Sequence, residues 1–382
     1  MSKDFFSKRF DDATNVKLDI FRLYIREWLP VFMTRQKEGF NHTTDINIYD
    51  FFAGAGRDGE GNPGSPLIIV DEIKQYCRNN KGLKANVSVR MLFNDIKRRY
   101  ISSLEKNVQS VQCDRDCCRI EYSVSPFHQA LRQHLPALND RKIASLVIMD
   151  QFGIKDVTPK TVQELASCKT TDILFFISSS FIRRFIETPE IGGKYDLNKK
   201  DLKNIEYNVI HRHICDYYRE NLSGKTYHLA PFSIKKGSNI YGVIFGSSHL
   251  LGLEKFLKVC WSLDKMTGEA NYNIDGDFSW RGQPSLFEQL NRIKKIDLFK
   301  NELREYIISK RPNNIELYEF CLVKGFPPFK TSEVLKELQK KEKLTVWNLN
   351  NDERARKGSF YLGWNNCKSD IPKARFSFKD AS

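Results

Sequence analysis

Hydrophobic positions follow two rhythms through the first two thirds of the chain. From Lys17 to Phe32, the apolar residues Leu18, Phe21, Ile25, Trp28, Leu29 and Phe32 recur at helical spacing. This predicts a helix, within residues 1–40, that packs on the core ahead of the first strand. Runs rich in β-branched and aromatic residues then predict strands at 46–52, 87–94, 117–123, 144–150 and 171–177. Between them, helical patterns cover 66–78, 97–107, 126–137 and 158–166. Strands and helices alternating at this spacing imply a parallel sheet covered on both faces, joined by right-handed crossovers.

Beyond Ser180 the rhythm changes. Residues 181–222 read as a charged helical insertion over the sheet's C-terminal edge, rich in aromatics. Segments 227–234 and 239–248 read as a strand pair turned by Gly237 and Ser238. Two closing antiparallel strands after five parallel ones is the order of a methyltransferase sheet. A helix at 252–262 follows, then a polar, Gly-rich linker at 264–284 and a helix at 286–308. Last come a short helix at 315–323, a helix capped by Thr331 or Ser332, and a strand at 344–349. Helix, turn, helix and strand in this order resemble a winged-helix unit. The expected division is a Rossmann-like domain over 41–264, a linker with helices over 265–311 and a basic domain over 312–382.

Charge sharpens that division. The chain of 382 residues carries a net charge of +14. Residues 291–382 hold 20 basic against 12 acidic side chains, or +8, more than half of the excess. A basic surface favours polyanions without saying anything about fold. Lys330, Lys336, Lys340 and Lys343 are the candidate phosphate contacts, and Lys336, Lys340 and Lys343 recur as one helical stripe. A solvated helix face explains the same lysines.

The nine cysteines are odd in number and lie mostly in apolar runs, which suits reduced thiols better than a disulfide frame. The start is charged throughout and no apolar run is long enough for a membrane span. The expectation is therefore a cytoplasmic protein. No metal is expected. Cys113, Cys117 and Cys118 lack a second close pair, and His211, His213 and Cys215 do not share one helix face.

The densest chemistry lies between Ile46 and Leu67. Asp50 comes near the end of an apolar strand, Gly54 and Gly56 follow, and a helix begins at Pro66 after a Gly/Pro-rich loop. Strand, glycine turn and helix form a nucleotide-cradling unit, because glycine lets backbone approach a ligand without a Cβ clash. The form D-x-F-x-G-x-G looks more like an S-adenosylmethionine (SAM) loop than the dinucleotide G-x-G-x-x-G. Asn94-Asp95 ends the second strand, where an acid accepts hydrogen bonds from ribose hydroxyls or caps the next helix. Asp150-Gln151-Phe152-Gly153 ends the fourth, where Asp150 with Phe152 would line the acceptor side. A different nucleotide, with phosphates on the 57–66 loop near Arg57, is a third option.

Together these residues resemble the three-Cys-motif partner family (TcmP). The resemblance rests on Asp50-Phe51-Phe52-Ala53-Gly54-Ala55-Gly56, on Pro63-Gly64-Ser65-Pro66-Leu67, on Asn94-Asp95 and on Asp150, Phe152 and Gly153. Gln151 stands in place of the family's proline. The segments 244–264 and 316–344 also match the family's later pattern, so the likeness spans about residues 13–345. It implies a bacterial, methyltransferase-like, SAM-binding core, with a radical-SAM-like three-cysteine protein as partner. Two functions stay open: a methyltransferase acting on nucleic acid or on a partner's product, and a non-catalytic nucleic-acid-binding scaffold, as in a defence or mobile-element system, that keeps the fold.

Overall fold

The computed structural model describes residues 8–33, 45–79, 88–110, 118–151, 153–193, 195, 202, 204–222, 226–275, 294–341 and 344–378. They form two compact units, Met1–Ser248 and His249–Ser382.

The first unit is a mixed α/β sandwich around a seven-stranded sheet of order β3-β2-β1-β4-β5-β7-β6. Its parallel strands are β1 (Asp45–Asp50), β2 (Ser88–Asn94), β3 (Cys118–Ser123), β4 (Ile143–Met149) and β5 (Thr171–Ile177). The strands β6 (His228–Lys236) and β7 (Asn239–Ser247) form a hairpin, and β7 runs antiparallel to β5. The central strands β1 and β4 are buried along nearly their whole length, as continuous apolar runs covered on both faces require. The helices are α1 (Asp12–Met33), α2 (Ser65–Asn79), α3 (Arg98–Gln109), α4 (Phe127–Leu138), α5 (Pro159–Leu165), α6 (Ser179–Phe185) and α7 (Ile210–Glu220). Five parallel strands and an antiparallel closing pair agree with the sequence. The first strand is shorter than expected, because Phe51 and Phe52 already lie in the turn.

Polar bonds as well as apolar packing fix α1 on this unit. Its buried face carries Phe21, Ile25, Trp28 and Leu29. Arg26 grips Glu72 of α2 through two bonds of 2.6 and 2.8 Å. Tyr24 donates to Asp172 of β5 at 2.7 Å. Burial raises the Asp172 carboxyl to about 6, despite hydrogen bonds from Ser247, Tyr24 and Trp28 that lower it.

The expected insertion divides into α6, a helical turn at Pro189–Gly192 and α7. α7 packs against β6 and β7, so this part covers the antiparallel pair. His211 of α7 is wholly buried, with Nδ1 at 2.7 Å from the Ser179 hydroxyl and Nε2 at 3.3 Å from the Val243 carbonyl. A Cβ at Gly242 would lie 2.1 Å from that Nε2, so the glycine makes room for the ring. Histidine at this position packs between α6 and the strand pair. Among the described residues no three His, Cys, Asp or Glu side chains group as metal ligands. Cys113 and Cys117 lie outside the described residues.

The second unit begins with α8 (Leu250–Leu263), which the sequence had assigned to the sheet domain. α9 (Lys295–Lys310), α10 (Asn314–Val323) and α11 (Pro328–Lys341) follow, then a sheet of order β10-β8-β9. Its strands are β8 (Leu344–Asn348), β9 (Glu353–Arg354) and β10 (Ala374–Phe378). Trp261, Phe299, Leu303, Leu335 and Phe376 share one apolar core, with Phe299 stacked on Phe326 at 3.7 Å. The expected cap at Thr331 or Ser332 is not formed. α11 starts at Pro328, and the buried Thr331 hydroxyl donates to the Phe326 carbonyl at 3.3 Å. A proline fits the first turn, where its missing N–H would have had no partner.

Candidate functional site

In the sheet, the strand order reverses between β1 and β4, and ligands of open α/β sheets bind beyond the strand ends at such a point. Register places three acids there. Asp50 ends β1 opposite Phe93 of β2 and Ile148 of β4. Asp95 and Asp150 each lie two residues past those partners, one on either side.

Asp50 is completely buried beneath the glycine turn. It accepts from the Phe52 N–H at 3.2 Å and faces the Ser65 hydroxyl. Burial, aided by the nearby Asp150 and Asp95 charges, raises its carboxyl to about 7, although the bond from Ser65 pulls the other way. Gly54 and Gly56 have φ of 63° and 81°, where a side chain would be strained. The Gly56 carbonyl accepts from the Gly64 N–H at 2.8 Å, closing the loop onto α2. Asp58 holds the rest of that loop. It accepts from Phe10, Glu60 and Asn62 backbone N–H groups and from the Asn62 side chain, at 2.7 to 2.9 Å. Burial alone would raise its carboxyl, but these bonds hold it at about 2. Arg57 donates to the Gly61 carbonyl at 2.7 Å and is thereby part of the loop's own bonding.

Asp95 ties this turn to β2. One carboxylate oxygen accepts from the Gly54 N–H at 3.1 Å, the other from the Lys97 N–H at 2.8 Å. Burial is the largest effect on its carboxyl and raises it. The helix that follows is capped at Lys97 without a side-chain bond, so Asp95 forms a turn ahead of the helix and not its cap. Asn94 is buried and donates to the Phe51 and Ser125 carbonyls at 3.2 and 3.1 Å. It braces the strand ends from beneath. Next to these buried polar groups lie two exposed apolar side chains, Ile96 (65% exposed) after β2 and Val124 (38%) after β3.

On the other side of β1 a cavity of about 360 Å³ opens beyond the ends of β1, β4 and β5. Phe52, Ala53, Gly64 and Ser65 line one wall, Asp150, Gln151 and Gly153 another. Within it Lys17 of α1 donates to Asp150 at 2.5 Å and lies over the Phe176 ring at 4.7 Å. The Lys17 side chain is 8% exposed and that of Asp150 19%. Asp11 and Lys236 form a second ion pair on the lining. Gln151 lines the cavity but spends its side-chain oxygen on the neighbouring loop. Its side-chain oxygen accepts from the Asp156 and Val157 N–H groups at 3.0 and 3.1 Å and so folds the loop after β4. Gln151 therefore fixes this turn by hydrogen bonds. Phe152 lies outside the described residues.

The core is a Rossmann-like α/β sheet of order β3-β2-β1-β4-β5-β7-β6. No family model matches the chain, and no curated protein matches it. Solved structures are similar to the chain at a low level. Trm1 from Pyrococcus horikoshii with S-adenosyl-L-methionine is 9% identical, TM-score 0.39, over 63% of this chain and 57% of that one. A SAM-dependent methyltransferase from Agrobacterium tumefaciens is 8% identical, TM-score 0.33, over 62% of each. TYW2 from P. horikoshii with MeSAdo is 10% identical, TM-score 0.31, over 63% and 64%. The chain thus spans less than two thirds of each of these proteins.

The sequence thus pointed to the acids and glycines but missed Lys17, Ser65 and the α1 contribution. A signal existed, since Thr14, Lys17, Phe21, Tyr24 and Trp28 form one i, i+3, i+4 stripe, and all are buried. A lysine in an apolar stripe marks a buried partner.

The basic candidates are spread along α11. Lys330 is half-buried, pairs with Glu333 at 2.9 Å and lies over Trp261. Lys336 and Lys340 are exposed and make no ion pair among the described residues. Lys343 lies outside the described residues. Lys336 runs beside Gly358, next to the exposed Arg356 and Lys357. No helix of the described residues is long and apolar enough to cross a membrane.

Proposed function

We propose that the first unit is a SAM-binding methyltransferase-like enzyme. The observation that carries this reading is the crevice at the β1/β4 reversal. A positive-φ glycine turn, pinned by Asp95, stands on one side of it, and the Lys17–Asp150 cavity on the other. The residues present fit the cofactor. Gly54 brings bare backbone to the crevice, Asp95 retains lone pairs for ribose hydroxyls, and Ile96 and Val124 offer exposed apolar cover for a base. Asp50, Asn94 and Gly56 would support this cradle from beneath. Bound SAM would supply an electrophilic sulfonium methyl. The chain's own contribution is to hold the acceptor in line and keep water out. Asp150 is the catalytic candidate, with Phe152 beside it in sequence.

Calorimetric titration with SAM tests this, with NAD and ATP as controls. Micromolar SAM binding is expected, weakened at least tenfold by Ile96→Glu. That substitution puts a charge where the base would lie, on a side chain too exposed to matter for folding. Absence of SAM binding, or binding indifferent to Ile96→Glu, sinks the cofactor reading.

A second reading concerns the basic second unit. Exposed Lys336 and Lys340, with Arg356 and Lys357 nearby, support a winged-helix-like surface that tracks nucleic-acid phosphates. Its presence would fit either a nucleic-acid methyltransferase or a scaffold. A radical-SAM-like three-cysteine partner and a bacterial setting rest on the motif resemblance, and a cytoplasmic setting on the cysteine pattern and the lack of a membrane-length apolar run.

A further inference from the structure

The Lys17–Asp150 cavity has a chemistry of its own. Its walls are aromatic: Phe10, Phe52, Phe176, Phe181 and Tyr241. Phe176 and Tyr241 stack at 5.6 Å with 10° between their planes, making a flat plate. Such a wall suits a planar ring, which gains from offset stacking beyond the area it buries. At about 360 Å³ the space lies at the small end of ligand pockets, which suits one compact molecule and not a polymer.

The polar end is specific. Of the three ammonium hydrogens of Lys17, one is used on Asp150 and the face of Phe176 takes the charge from another side. The lysine therefore keeps donor capacity toward the cavity, while only one oxygen of Asp150 is engaged. A hydroxyl satisfies both groups at once. Its hydrogen donates to the free Asp150 oxygen, and its own oxygen accepts from Lys17. An aromatic amino group does this poorly: its nitrogen lone pair is drawn into the ring and accepts weakly from Lys17, and the ammonium opposes positive charge building on that nitrogen.

We propose that this cavity binds a small, free aromatic compound carrying an ionisable hydroxyl, held between Lys17 and Asp150. Asp150 is the base within reach of its proton, and Lys17 stabilises the oxygen as that proton leaves. The proposal names the acceptor class of the site described above and rests on that reading for the word acceptor. The binding itself needs no cofactor.

The test is equilibrium binding of three probes of one shape to the full-length protein: 4-nitrophenol, 4-nitroaniline and nitrobenzene. Wild type is expected to bind 4-nitrophenol at least tenfold more tightly than the other two. Lys17→Met should abolish that preference while leaving nitrobenzene binding unchanged, and Lys17→Arg should restore part of it. Phe181→Ala, at a rim residue 37% exposed, should weaken all three and serves if Lys17→Met does not fold. Equal affinity for phenol and aniline, a preference that survives Lys17→Met, or competitive displacement of 4-nitrophenol by SAM would each overturn the proposal. Probe binding without SAM binding would keep the aromatic site and remove the methyltransferase reading. SAM binding without probe binding would do the reverse.

Discussion

Burial sets the ionisation of Asp50, and the sign of the consequence can be stated. Its folded carboxyl is raised to about 7 from 3.8, so the native state holds a proton that the unfolded chain has lost in between. Stability therefore falls as pH rises from about 4 to 7 and stays reduced above that. The change is at most about 4 kcal/mol for a shift of this size. Asp50→Asn should accordingly gain several degrees in melting temperature over wild type at pH 8, and little or nothing at about pH 3.5, below the unfolded carboxyl's own titration. Melting curves that differ equally at both pH values would show that Asp50 does not carry this charge penalty. Asp58 behaves oppositely, since its bonds hold the carboxyl at about 2 and its stabilisation is lost only in strong acid. The sequence showed three acids near strand ends. That one is sealed, one binds backbone and one meets a lysine depends on how much solvent each retains.

At the scale of elements, the β1–α2 connection and α1 do the organising. Gly56 has φ of 81°, and a Cβ there would lie 2.5 Å from Leu104 Cδ1. Gly56→Ala should therefore destabilise the protein by roughly 1–3 kcal/mol, through backbone strain more than through the side-chain clash, since Leu104 can turn aside. Chemical denaturation measures this; a change below about 0.5 kcal/mol would mean the turn relaxes freely. The glycine turn was legible because glycine is demanded by conformation, a local property. Helix α1 was legible as a helix but not as a wall of the site. Its periodicity states that one face is buried and leaves open what covers it. The start of α11 was misplaced for a related reason: Thr331 and Ser332 have capping chemistry, but Pro328 had already fixed the first turn, and Thr331 turned inward to Phe326.

For the whole molecule, charge and core must be separated. The apolar core of the second unit joins Trp261 of α8 and Phe299 and Leu303 of α9 to Leu335 and Phe376. Removing residues 312–382 would strip partners from the first three, so such a truncation confounds misfolding with loss of binding. Charge reversal is the cleaner probe. If this unit tracks phosphates, duplex binding by the full chain should weaken steeply with salt, with a log–log slope of about −0.9 for each phosphate contacted. Lys336→Glu with Lys340→Glu should lower that slope by about two contacts without changing the melting temperature. A salt-independent affinity, or one untouched by the double variant, would remove the nucleic-acid reading and leave two solvated lysines. The sequence by itself determined the alternation of strand and helix, the hairpin that closes the sheet, the glycine turn and the location of the excess charge. All are written in local spacing and residue type. Only the tertiary structure decided that Lys17 meets Asp150 across 133 residues of chain, that Gln151 folds the loop beside it, and that five aromatic rings enclose them. Periodicity records that a side chain is buried, whereas its partner is chosen by how helix α1 crosses the sheet, and no local pattern contains that crossing.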